Sequence, residues 1–337
     1  MKITMNDIAK KAGVSVMTVS NVINNNHNKV SLKTIKKINK IIEEYDYSVN
    51  MNAKALSGTS HLIGLLYFGK SPDYNFSDPF AAEIMNGVVL HTKKTNMFTL
   101  VHHISNRNDL IEIQKNWKFA GFIAVGFQSD FISDVINYCN SPIVFIDTLV
   151  SEEIKPLIER KDVKFVNNND YELAKEATAH LLKKGLKKIA FLSYEFEENL
   201  PSVIQQRYLG YRSSLSENHI EDYKVFTANE YENNLDEITS FDGIVVTADV
   251  LALNLIKQMR NKKMDHRDLS VISFDNLTYS EMVEPGLSSF ELNHKIKGEV
   301  AVENLISLIN GEISLNYEPV IVKGELFARI SSNKVVS

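Results

Sequence analysis

The chain has 337 residues, 44% of them hydrophobic and 23% charged, with a formal net charge of −5. Such a length predicts two or three domains, and the composition excludes a wholly disordered chain. No apolar run reaches the roughly 18 residues of a membrane span, and no secretory stretch opens the sequence. Cys139 is the one cysteine, which excludes an intrachain disulfide framework and a cysteine zinc site. A soluble, cytoplasmic protein is the expectation.

Charge is spread unevenly. Residues 1–58 hold nine lysines against Asp7, Glu43, Glu44 and Asp46, a balance of +5 that leaves −10 for residues 59–337. A basic head on an acidic body suits a chain that meets a polyanion at one end, although a lysine-rich terminus can also be plain solvated surface. Within the head, Thr4 predicts a helix N-cap with Asp7 as its reciprocal acid, and Gly13 a stop after Ile8, Ala9 and Ala12. Ser15 then caps a second helix to about residue 24, with Val19, Val22 and Ile23 inward. Ser31 opens a third, with Ile35, Ile38, Ile42 and Tyr45 inward and Lys33, Lys36, Lys37 and Lys40 outward. Two short helices about a glycine-containing turn, closed by a third, make a helix-turn-helix, whose second helix enters the major groove.

The spelling is more specific than the pattern. Asp7-Ile8-Ala9-Lys10-Lys11-Ala12-Gly13-Val14-Ser15-Val16-Met17-Thr18-Val19-Ser20-Asn21-Val22-Ile23-Asn24 resembles the DNA-binding signature of the lactose/galactose repressor (LacI/GalR) family. Val30-Ser31, Tyr47, Asn50, Ala53 and Leu56 extend the likeness. The resemblance implies that Val16, Met17 and Asn21 read base edges, and that Thr4, Ser15, Thr18, Ser20, Asn24, Ser31 and Thr34 hold phosphates. The plain alternative for the three readers is solvent-facing residues without a reading role. Asn21 stands where arginine is common; asparagine suits adenine and arginine guanine, so an altered operator half-site is expected. Residues 50–58 correspond to the family's hinge, in which Ala53, Lys54 and Leu56 would enter the minor groove and Leu56 would wedge between central bases. Val49 in place of proline and Lys54 in place of arginine weaken that likeness, and a simple linker is the alternative.

From residue 61 onward, strand-like runs alternate with helical stretches at 62–68, 98–103, 121–126, 142–147, 163–168, 188–193, 223–228, 243–248, 270–275 and 288–293. Several are continuously apolar, as parallel strands buried on both faces must be. Ten such runs predict two doubly wound sheets. The expected domains are a helix-turn-helix at 1–47, a hinge at 48–60 and an α/β two-lobed core at 61–337. The first lobe takes about 61–160 with 294–320 and the second about 163–290 with 321–332, the last strands near 318–332 finishing one or both sheets. Asp78-Pro79-Phe80, residues 142–147, Ala177-Thr178-Ala179-His180-Leu181, residues 188–191 and 207–211, Ser270-Val271-Ile272-Ser273-Phe274-Asp275 and residues 325–332 extend the resemblance to the same family. More distantly they resemble periplasmic sugar-binding proteins.

Ligands of open parallel sheets sit beyond the carboxyl ends of the strands. The resemblance places Asp275, Arg207, Asp147, Asn169 and Phe80 around an effector there, the first two as carboxylate and guanidinium partners of sugar hydroxyls. Helix caps for Asp147 and Asp275, core for Phe80 and a surface ion pair for Arg207 are the plain alternatives. Ala248-Asp249, Asn169-Asp170 and Thr148 depart from the common family pattern, so the effector of no single relative carries over.

No phosphate-cradling glycine loop, serine-hydrolase elbow or H-E-x-x-H helix is present in the sequence. The resemblance implies a repressor, and the missing motifs lead to the expectation that it is non-enzymatic and needs no metal or cofactor. It would bind double-stranded operator DNA as a homodimer and respond to a sugar or sugar phosphate. A nucleobase effector, a protein corepressor and a solute-binding role are the alternatives.

Overall fold

The computed structural model describes residues 3–23, 26–47, 60–69, 78–127, 129–158, 162–265, 268–312 and 318–333. They belong to two units, Met1–Ser60 and His61–Ser337. The first is built from α1 Met5–Ala12, α2 Val16–Ile23 and α3 Leu32–Glu44. The capping box forms: the Asp7 amide donates to Thr4 Oγ1 at 3.3 Å, and the Thr4 amide donates to Asp7 Oδ2 at 3.0 Å. Gly13 closes α1 at φ +67°, a left-handed position that a side chain would strain. Ile8, Ala9, Ala12, Val19, Val22, Ile35, Ile38 and Ile41 form the core.

The apolar stripe of α3 differs from its expected spacing. Ile41 is buried, Ile42 half-buried and Tyr45 exposed. The helix ends at Glu44, so Tyr45 caps it and leaves the helical stripe; Lys11 donates to its hydroxyl at 2.9 Å and lies 4.5 Å from its ring centroid.

In the second unit all ten apolar runs are strands, with slightly shifted ends. One sheet holds β1 Leu62–Phe68, β2 Phe98–Ile104, β3 Gly121–Val125, β4 Ile143–Ile146, β5 Val163–Asn167 and β11 Val320–Ile321, in the order β11-β5-β4-β3-β1-β2. The other holds β6 Ile189–Ser193, β7 Val225–Thr227, β8 Gly243–Val246, β9 Ser270–Asp275, β10 Ser288–Glu291 and β12 Glu325–Phe327, in the order β12-β10-β9-β8-β6-β7. Every pairing is parallel except β10 with β12. The C-terminal segment thus adds one strand to each sheet, and Ile330–Ser332 is a 3-10 turn where strand was expected.

Helix His294–Ile309 returns to the first lobe and packs on helix Pro79–Lys94. Their axes close at paired glycines: a Cβ on Gly87 would lie 2.0 Å from the Lys295 carbonyl oxygen, and one on Gly298 2.4 Å from that of Ile84. This contact draws the first turn of His294–Ile309 in beside the strand ends of its lobe.

The chain passes between lobes after β5, after β10 and between β11 and β12. One buried side chain ties all these crossings: Asn168 Nδ2 donates to the carbonyls of Val322 at 2.7 Å and Leu292 at 3.2 Å. The Val322 amide donates to the Asn167 carbonyl at 2.9 Å, and Asn293 Nδ2 to that of Lys323 at 3.0 Å. Removing a donor from buried carbonyls costs about 1–3 kcal/mol. Asn168→Ala is therefore expected to lower the unfolding free energy by about 2 kcal/mol in a urea titration. A loss within the scatter of surface substitutions would show that the crossings hold without it.

Candidate functional site

Two places gather the candidate residues, one in each unit. In the first unit, the start of α2 projects. Ser15, Val16 and Met17 are exposed, Met17 at 71%, while Thr18, Ser20 and Asn21 are half-buried behind them. Ser15 Oγ accepts from the Thr18 amide at 3.1 Å and meets Thr18 Oγ1 at 2.9 Å. Ser31 and Thr34 repeat this at the start of α3, at 3.3 and 2.8 Å. Each pair sets hydroxyls beside unsatisfied backbone amides, the arrangement that binds phosphate at helix N-termini. Thr4 caps α1 in the same way. Lys33, Lys36, Lys37 and Lys40 are exposed along α3. Asn24 and the hinge candidates Ala53, Lys54 and Leu56 lie outside the described residues.

In the second unit, Phe80, Asp147 and Asp275 come together at the strand ends, and the first turn of helix His294–Ile309 joins them. Asp147 follows β4 at φ +50° and Asp275 ends β9 at φ +112°, both left-handed positions uncommon for a residue with a side chain. Lys297 Nζ donates to Asp147 Oδ2 at 2.5 Å, with side-chain exposures of 1% and 9%; Asp147 Oδ1 is buried with no hydrogen-bond partner. His294 Nε2 meets Asp275 Oδ1 across the lobes at 3.1 Å, and its ring lies edge-on to Phe80 at 4.8 Å. The second oxygen of Asp275 receives a long 3.4 Å approach from the Asp249 amide. Burial pushes the Asp275 carboxyl up to about 7, against the pull of Arg207. Burial and the neighbouring Lys297 charge hold His294 well below the ordinary imidazole value. The contact is therefore between a neutral imidazole and an acid that titrates near neutrality.

Arg207 and Asn169 stand apart from this cluster. Arg207 is buried within its own lobe: Nε donates to Asp170 Oδ1 at 2.8 Å, Nη1 to the Thr247 carbonyl, and the guanidinium lies 4.5 Å from the Phe274 ring centroid. Asn169 is exposed at the start of helix Asp170–Lys183 and makes no side-chain cap. Its buried neighbours are engaged instead, Asn168 at the crossings and Asn167 with the backbone of Thr148 at 2.9 and 3.2 Å.

Sequence reasoning passed over Lys297, His294 and Asp249. Lys297 and His294 sit in a helix whose spacing reads as ordinary amphipathic structure, and nothing local marks them. Asp249 carried a signal, the Ala248-Asp249 departure. It is fully buried and accepts from Ser273, Ser280, Ser289 Oγ at 2.6 Å and the Leu277 amide at 2.9 Å. Burial and the charge of Asp275 push it up to about 6.

Residues 4–50 match the model of bacterial regulatory proteins of the lacI family, and residues 178–332 that of a periplasmic-binding-protein-like domain. The HTH-type transcriptional regulator MalR of Staphylococcus xylosus is 25% identical, covering 94% of this chain and 94% of its own. The sucrose operon repressor of Lactococcus lactis subsp. lactis is 26% identical, over 94% of this chain and 96% of its own. Among solved structures, the lac repressor dimer bound to operator and the anti-inducer ONPF has a TM-score of 0.79 at 20% identity, covering 98% of this chain and 99% of that one.

The two shifts across the lobe contact oppose each other in stability. Between the ordinary carboxylate range and about pH 7, folded Asp275 keeps a proton that the unfolded chain has released, so its contribution is lost as pH rises. Below the ordinary imidazole range the unfolded His294 binds a proton that the folded one does not, so its contribution grows as pH rises. His294→Gln removes the second effect. Its unfolding free energy is expected to fall more steeply than that of the parent between about pH 5 and 6.5. Parallel stability curves would overturn the assignment.

Proposed function

We propose that this chain, whose residues 4–50 match the model of the lacI family of bacterial regulatory proteins, is a repressor that binds a near-palindromic operator as a homodimer and releases or grips it in response to a small molecule held between its lobes. The observation that carries the reading is the start of α2, where Ser15, Val16 and Met17 are exposed ahead of an inward face of Val19 and Val22. That is the geometry of a helix that reads a major groove with its first turn. In this reading Val16 and Met17 touch apolar base edges such as thymine methyls, and Asn21 pairs with adenine. Paired Leu56 side chains open the centre of the operator from the minor groove.

The effector reading rests on Phe80, Asp147 and Asp275 meeting at the strand ends, where hydroxyls of a polyol find acceptors and a ring to lie against. The likeness to the sucrose operon repressor of Lactococcus lactis supports a carbohydrate-utilisation operon as the regulated unit. A ligand that favours one lobe angle shifts the order of the hinge, and about 1–3 kcal/mol of such coupling changes operator occupancy 5–150-fold.

Selection of bound duplexes from a random pool, followed by fluorescence anisotropy, tests the reading. The expected product is a two-fold site bound tightly against competitor DNA; retention without sequence preference would overturn it. On that site, Asn21→Arg is expected to move the preference at one position per half-site from adenine to guanine, by about 1–3 kcal/mol. Leu56→Ala is expected to weaken the selected site while sparing random DNA, and equal loss on both would remove the wedge role.

A further inference from the structure

We infer that the ligand taken between the lobes carries a protonated amine, as an amino sugar or another hydroxylated amine does, in preference to a neutral or phosphorylated sugar. The inference rests on the effector reading above and adds the charge of the ligand to it.

The argument is the distribution of partners. Arg207 and Lys297, the cations whose charge reaches Asp275, are both already engaged by carboxylates. Arg207 is held by Asp170, with side-chain exposures of 8% and 4%, and Lys297 by Asp147, at 1% and 9%. Asp275 has no cation in contact; its partner is His294, whose imidazole is kept neutral by burial. Asp249 is satisfied by hydroxyls and one amide. From the first lobe, Asp78 and Glu83 lie close enough to feel the charge of Asp275. Acceptors therefore outnumber available donors, and one of them, Asp147 Oδ1, is buried without any partner while its other oxygen holds Lys297.

A buried ionised carboxylate is costly until something positive reaches it. An ammonium group supplies that and carries three donors, one of which can serve the Asp147 oxygen that lacks a partner, while the hydroxyls of the same molecule use other acceptors. A phosphate meets the reverse situation. Its negative charges would enter a region with carboxylates in excess, and both cations would have to leave buried partners to bind it. Aromatic faces act in the same direction. Lys297 Nζ lies 5.8 Å from the Phe80 ring centroid, and the half-exposed Tyr194, at the end of β6, sits within the fields of Asp78 and Asp275. Rings backed by carboxylates attract cations.

The test is a matched series on the full chain, with thermal shift first and calorimetry for every member that binds. Glucose, galactose and mannose are compared with their amino-deoxy forms at C2, C3 or C6, their 2-acetamido forms and their 6-phosphates. At least one amino sugar is expected to bind tenfold or more tighter than its uncharged acetamido or parent counterpart, and Asp275→Asn is expected to erase that difference. Equal binding of amine and acetamide, or tightest binding by a 6-phosphate, would overturn the inference and leave the effector reading in place. Silence from the whole series would overturn both.

Discussion

The second unit depends on how its lobes are joined, and the joint is a buried amide. Chain crossings are costly to hide because each carries peptide groups away from water, and every such group must find a partner. Asn168 answers this by giving both hydrogens of one NH2 to carbonyls on the other crossings, Leu292 and Val322. The consequence is geometric. His294 lies two residues beyond Leu292, and Asp275 is in register with Glu291 on the neighbouring strand. The contact across the lobes therefore sits beside the pivot, where a small rotation moves side chains by little. More distant parts of the lobes travel further for the same angle.

The buried charged groups are divided unevenly between the lobe interiors and the contact across the lobes. Full ion pairs, Lys297 with Asp147 and Arg207 with Asp170, each lie inside one lobe. Breaking a buried pair leaves an uncompensated charge and costs several kcal/mol, about 3–5 when a partner is removed. Across the lobes stands a neutral imidazole against an acid near its titration point, which is a weaker bond to give up. Movement between lobes can thus proceed without separating a full ion pair among the described residues. The glycine contact of Gly87 and Gly298 makes the arrangement possible, because it seats helix His294–Ile309 close enough for Lys297 to reach Asp147.

How much of this was legible in the sequence follows from the range of each interaction. The strands could be read because a parallel strand buried on both faces must be continuously apolar, and β3 and β4 are fully buried from end to end. The caps at Thr4, Gly13 and Ser31 could be read because a cap is made by residues two to four apart. Tyr45 could not, since its position turns on where α3 stops. The candidate site was legible in its acids, Asp147 and Asp275 at strand ends, and in the Phe80 ring at the start of helix Pro79–Lys94. Lys297 was not: it looks like any solvated lysine on a helix until β4 is placed against it, 150 residues away in sequence. The asparagines show the same limit. Asn167, Asn168 and Asn169 are equivalent as letters, and only the crossing backbone decides that the middle one is the clasp.

The head meets a different constraint. Its core consists of eight small or aliphatic side chains, and units this short bury little surface on folding. Local hydrogen bonds must then hold the helix starts in shape. Ser15 with Thr18 and Ser31 with Thr34 do this within the protein, so the hydroxyls and amides of α2 and α3 are already oriented before any phosphate arrives. Orientation in advance lowers the entropy lost on binding. Charge then selects which face of the chain approaches. With +5 in residues 1–58 and −10 in the remainder, a polyanion is drawn to the head and repelled by the body, and both forces weaken together as salt rises. The charge asymmetry thus favours the approach of a polyanion to residues 1–58, where the starts of α2 and α3 lie.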